Sequence, residues 1–278
     1  MRVLREKLIA FWRIWLILAL PGASVASWSS ARAHEFADSP FVTEARQGRF
    51  PFLGIVTYHC GHGGREVICS GQGFLVSRCI IMTSDHVSRG PVDRRYSPDG
   101  LTKMFRIQGM TYPVVPLNAG PIGQGSGLAE DSIEDWGLMR ITASDCPGSR
   151  FGWAKDPTLD PARMPIGTDI AVYTVEDPDF SRITVSRGKF FGKAPDDVLM
   201  MASASMRPGQ SGGIVIATAP DGAEQVIGMV QGANFARYHA YKKGLKAFSP
   251  DVANLFTNIF NVLSESPAAN MINQDRRP

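Results

Sequence analysis

The stretch Arg207-Pro208-Gly209-Gln210-Ser211-Gly212-Gly213-Ile214-Val215-Ile216-Ala217 sets a small hydroxyl among glycines and then runs into a purely apolar segment. Proline and glycine mark a tight turn, and the β-branched run behind it reads as a strand of a buried sheet. A serine on such a turn is open to an incoming carbonyl. The glycines around it, Gly209, Gly212 and Gly213, carry no side chains to block one, and the backbone amides of the turn can point at its oxygen. Taken alone, the same residues also fit a flexible surface loop.

Upstream, Gln72-Gly73-Phe74-Leu75-Val76-Ser77 and Cys79-Ile80-Ile81-Met82-Thr83-Ser84-Asp85-His86-Val87 form two short β-type runs that deliver His86 to a strand end. Between these and the serine, Glu134-Asp135-Trp136-Gly137-Leu138-Met139-Arg140-Ile141 carries Asp135 into another strand. Singly, His86 reads as a packed strand-end histidine, Asp135 as a turn acid and Ser211 as a loop residue. Jointly they are the three chemistries that acyl transfer requires, and His, Asp, Ser is one of its known chain orders. His59, His62 and His239 follow no comparable pair of apolar strands.

The rest of the chain repeats the short-strand pattern of an all-β sandwich or barrel. Strands are expected at Phe52 to Tyr58, Gln72 to Val76, Cys79 to Thr83, Met104 to Ile107, Thr111 to Leu117 and Trp136 to Ile141. A second set is expected at Asp169 to Val175, Ile183 to Phe190, Val198 to Ala202, Gly213 to Ala217 and Gln225 to Gln231. Between the sets, Pro147 to Pro165 reads as a proline-rich connector. Ser249 as N-cap, Pro250 at the first helical position and apolar residues from Val252 to Leu263 at helical spacing predict a helix over 249–264. Residues 265–278 are expected to be a flexible tail.

These blocks, in this order, resemble those of the trypsin-like (chymotrypsin-fold) serine proteases of the secreted bacterial type, which read GFLVS…TAAHV, DxALLRL and GxSGG. The resemblance spans roughly Phe50 to Leu263. It implies two six-stranded antiparallel Greek-key β-barrels, one over 50–150 bearing His86 and Asp135 and one over 151–248 bearing Ser211, closed by a C-terminal α-helix. It also implies roles: Ser211 as nucleophile, His86 as general base, Asp135 orienting the imidazole, and the amides of Gly209 and Ser211 as the oxyanion hole. Ser205 would floor a substrate pocket walled by Val230, Gln231 and Gly232, uncharged and suited to a medium-sized side chain. The implied partner is a polypeptide substrate, with no metal and no organic cofactor. A catalytically inactive binding module on the same scaffold is the alternative.

Three positions depart from the family pattern. Gln210 stands where many digestive members carry an aspartate that pairs with a new amino terminus, so the turn must be ordered by other means. Asp85 places an extra carboxylate beside His86 and is expected to point outward. Gly137 replaces a common alanine, an exchange expected to be harmless.

Composition and ends complete the reading. With 44% hydrophobic and 20% charged residues in 278, the chain is of globular type. A basic start, the apolar run Ile14 to Leu20 and small residues before Ala26 and Ala33 read as a signal peptide over 1–33, followed by an N-terminal segment over 34–49. A retained membrane anchor is disfavoured, because the apolar run is shorter than the roughly 20 residues a span needs. Five bases and one acid precede His34, so removing them takes the formal net charge from +3 to −1. No polybasic face then argues for nucleic acid. The expected location is periplasmic or secreted, where cysteines pair. Of three possible connectivities, Cys60–Cys69 across a hairpin tip and Cys79–Cys146 is preferred. A zinc site of His59, Cys60, His62 and Cys69 is the competing reading, at non-standard spacing. Oligomeric state is not legible.

Overall fold

The computed structural model describes residues 41–62, 65–90, 103–117, 136–176, 180–193, 199–206, 209–232, 254–264 and 267–277. The expected signal peptide therefore lies outside the described residues, as do Asp135 and the helix cap at Ser249.

Alternating burial drives the first barrel. In β2 (Leu53–His62), β3 (Arg65–Leu75), β4 (Ile80–Thr83), β5 (Lys103–Ile107), β6 (Met110–Leu117) and β7 (Gly137–Ile141), one residue in two turns inward. Val56, Leu75, Ile81, Phe105, Val114 and Met139, one from each strand, pack into a single interior. Each strand pairs antiparallel with its neighbours in the closed order β2-β3-β4-β7-β6-β5, so no edge is left open.

The second barrel comprises β8 (Asp169–Val175), β9 (Arg182–Lys193), β10 (Leu199–Ala202), β11 (Ile214–Thr218), β12 (Glu224–Gly232) and β13 (Asn254–Asn258). Its strands run β9-β10-β13-β12-β11-β8, and the β8–β9 pairing closes the ring. Val172, Phe190, Met200, Val215, Val230 and Phe256 fill it. Two closed six-stranded antiparallel barrels with helix at the C-terminal end are a chymotrypsin-like architecture. A strand absent from the expectation, β1 (Val42–Ala45), adds to the outside of β9.

The C-terminal expectation is corrected. Residues 254–258 are the sixth strand of barrel two, so that barrel does not end at 248, and the helix within 249–264 shrinks to α3 (Ile259–Ser264). It pairs with β10 on one edge and β12 on the other, and Phe256 and Thr257, on opposite faces, are both buried. The tail is not loose either: α4 (Pro267–Arg276) docks on barrel one. Asp275 accepts from the Ser77 hydroxyl at 2.8 Å and the Cys79 amide at 2.7 Å, while Arg276 donates to the Val76 carbonyl at 2.8 Å.

A third apolar cluster fills the seam between the barrels. Phe74, Met82 and Leu138 from the first meet Tyr173, Ile214 and Met229 from the second, with Ile259, Leu263 and Ile272 of α3 and α4. Across this seam Gln72 of β3 uses its whole side-chain amide on Val175 of β8, accepting from its N–H at 2.9 Å and donating to its carbonyl at 3.3 Å. Both expected disulfides are present, Cys60–Cys69 with Cα atoms 5.8 Å apart and Cys79–Cys146 with Cα atoms 5.0 Å apart. The first removes two ligands from the zinc reading. Among the described residues no helix is long and apolar enough to cross a membrane.

Candidate active site

Barrel two presents Ser211 on the turn that precedes β11. The Gly213 amide closes the turn on the Gln210 carbonyl at 2.8 Å, and Val230 of β12 straps it down, accepting from Gly212 N and donating to Gly213 O, both at 2.8 Å. Gly212 has φ +87°, and a Cβ there would lie 2.0 Å from the Gln72 carbonyl oxygen, so only glycine fits. Gln210 is buried and its amide donates to the Thr174 hydroxyl at 3.2 Å. That contact anchors the turn from β8, without any ion pair to an amino terminus. Ser211 itself is 9% exposed. The amides of Gly209 and Ser211 meet no acceptor among the described residues.

Barrel one presents His86 on α1 (Asp85–Ser88), the single turn that follows β4; another single turn, α2 (Gly148–Phe151), comes after β7. Thr83, at the end of β4, bonds the Gln72 carbonyl at 2.6 Å, and the Ser84 hydroxyl donates to the Val230 carbonyl at 3.0 Å. The Val87 and Ser88 amides then close on Ser84 O at 3.0 and 2.9 Å.

The two presentations meet at Gly71 and Gln72 of β3. A Cβ on Gly71 would lie 2.5 Å from Val87 Cγ2 and 3.1 Å from the Ser211 carbonyl oxygen. That carbonyl accepts from the Gln72 amide at 2.7 Å. The structure thus brings the segments of His86 and Ser211 to one seam; no hydrogen bond joins their side chains among the described residues. Asp135 falls outside them. Its neighbour Trp136 is buried, and Gly137 pairs with Thr83, which puts the start of β7 beside the His86 segment.

Two expectations about the neighbours of His86 are corrected. Asp85 does not point outward: its side chain is 15% exposed and its Oδ1 lies 2.7 Å from Arg89 Nε. Gly137 is not a neutral exchange, because a Cβ would stand 2.3 Å from Ser88 Oγ. Of the expected pocket residues, Ser205 is half-buried and its amide donates to the Ser186 hydroxyl at 2.7 Å. Val230 turns its side chain into the core of barrel two, so only its backbone faces the seam. Gln231 is fully buried, with neither side-chain amide atom hydrogen-bonded among the described residues, and Gly232 ends β12 opposite Leu255 where the register shifts.

The sequence reading missed Gln72, Ser84 and Lys103. Lys103 had a visible signal: it shares the inward face of β5 with Phe105 and Ile107, an unusual place for an ammonium.

No protein-family profile matches the chain, and no curated protein matches it. Among solved structures it is similar to the Rv3671c protease from M. tuberculosis in its active form. The identity is 15%, over 79% of this chain and 82% of that one, with a TM-score of 0.49.

Proposed function

We propose that this chain is an exported serine endopeptidase. The observation that carries the reading is the Val230 carbonyl, which accepts both from Ser84, two residues before His86, and from Gly212, one residue after Ser211. A single oxygen pins the bearers of base and nucleophile.

In the proposed reaction His86 takes the proton of Ser211 Oγ as that oxygen bonds to the scissile carbonyl carbon. The resulting oxyanion binds the amides of Gly209 and Ser211, each donor contributing about 3 kcal/mol in comparable sites. His86 then passes its proton to the departing amine, the C–N bond breaks, and water releases the acyl group by the same steps in reverse order. Asp135 would hold the imidazole tautomer and stabilise its charged form. Contacts between Ser211 and His86 tighten when substrate fills the site, as unliganded catalytic hydrogen bonds are often long. Polypeptide is the substrate this machinery suits. Export is supported by the two disulfides, which persist in oxidising compartments.

The test is labelling of the folded protein by a fluorophosphonate, with Ser211→Ala as control. Covalent labelling lost in the variant is expected. Absence of Ser211-dependent labelling would leave the alternative, an inactive protease-fold binding module.

A further inference from the structure

Lys103 is 4% exposed, inside barrel one beneath the segment that carries His86. Its Nζ donates to the Val87 carbonyl at 2.7 Å and lies 4.3 Å from the centroid of the Tyr58 ring. Tyr58 in turn presses on the end of the same segment, for a Cβ on Gly90 would fall 2.6 Å from the Tyr58 hydroxyl and 2.5 Å from the His86 carbonyl oxygen.

An ammonium is costly to bury, and a methionine or leucine at this inward position would pack with Phe105 and Ile107 at no such cost. Burial pushes Lys103 down to about 8, with Asp85 the charge that opposes the shift. That carboxylate is already engaged by Arg89, so among the described residues Lys103 has no counter-ion to itself. Among the described residues, the titratable groups facing it are Tyr58 from β2 and Asp85 from α1. Burial also raises the Tyr58 phenol, which keeps the ring neutral and its face available to the cation. What the ammonium gains is a charge-assisted bond to the carbonyl of Val87, the residue after His86.

We propose that Lys103 is a positioning residue that, through its charge, clamps the backbone on the C-terminal side of His86 and so sets the imidazole relative to Ser211. The proposal rests on the serine-hydrolase reading for its chemistry. Its structural half, a clamp on residues 87–89, stands independently.

Three proteins test it: the parent, Lys103→Met, which keeps length without charge, and Lys103→Arg, which keeps charge. The first readout is the fluorophosphonate labelling rate against pH. The parent is expected to lose rate above about pH 8, Lys103→Met to be roughly tenfold slower at pH 7 with no such limb, and Lys103→Arg to recover most of the rate and hold it through the alkaline range, because a guanidinium keeps its proton. The second readout is hydrogen exchange of the Val87, Ser88 and Arg89 amides at pH 7. These should lose about tenfold protection in Lys103→Met and regain it in Lys103→Arg. If Lys103→Met does not fold, Lys103→Arg decides: a parent-like rate at pH 7 without the fall above about pH 8 supports the clamp, and a fall like that of the parent overturns it. Labelling profiles and exchange that are the same in parent and Lys103→Met overturn the clamp while leaving the hydrolase reading intact. No Ser211-dependent labelling in any of them, with exchange altered as expected, overturns the hydrolase reading and keeps the clamp.

Discussion

Ser84 and Gly212, 128 residues apart in the chain and in different barrels, are bound to the same atom. Val230 O lies 3.0 Å from the Ser84 hydroxyl and 2.8 Å from the Gly212 amide. A carbonyl oxygen has two lone pairs, and here each holds one side of the proposed catalytic pair.

Ser84→Ala removes one of those bonds but leaves Val230 O satisfied by Gly212. The stability cost should be small, about 1 kcal/mol by urea denaturation. The Ser211 labelling rate should fall roughly tenfold, because His86 loses its registration to barrel two. An unchanged rate would show that the shared carbonyl does not position the pair.

Gln72→Leu strands the buried N–H and C=O of Val175, which the Gln72 amide now satisfies at 2.9 and 3.3 Å. Leaving both unpaired should cost about 2 to 4 kcal/mol. Urea melts of the purified variant would show it as a lower midpoint, and a midpoint equal to that of the parent would contradict the account of the seam.

Asp275→Asn keeps the shape of the α4 latch and removes its charge. The carboxylate accepts from Ser77 at 2.8 Å and from the Cys79 amide at 2.7 Å, with Arg140 at 3.4 Å. The variant should lose about 1 to 2 kcal/mol, read as a fall in thermal midpoint. Hydrogen exchange at Cys79 should rise with it.

Stability should depend on pH through Lys103. Its folded value of about 8 lies below the ordinary 10.5, so between these the unfolded chain binds more protons than the folded one. The folded state is therefore penalised in full below pH 8 and relieved progressively up to about 10.5. The unfolding free energy of the parent minus that of Lys103→Met should rise with pH across this window. A flat difference would mean that the ammonium is not desolvated.

Most of the barrels was legible because alternation is a local signal. The β8 bounds, Asp169 to Val175, agree at both ends with the expectation. The final strand was not legible. Val252, Leu255, Phe256 and Ile259 fit a helical stripe, but β10 and β12 present unpaired backbone on either side of a gap, and that non-local demand claims Asn254–Asn258 as strand. At the site, the serine turn and the histidine segment could be read from glycine spacing and strand ends. The tie between them could not, since it depends on Ser84 and Gln72, whose polar atoms reach partners more than 100 residues away. Gly137 illustrates the same limit: its need for a hydrogen in place of a methyl arises from Ser88, nearly 50 residues earlier.

Barrel one is wound from residues 53–141, yet its last tethers, Asp275 and Arg276, come after every strand of barrel two. Its full set of hydrogen bonds is consequently not local to its own segment. However early the first half collapses, Ser77 and Cys79 wait for their final partner until the second half has been made. The last bonds of the first barrel are in this way supplied by the far end of the polypeptide.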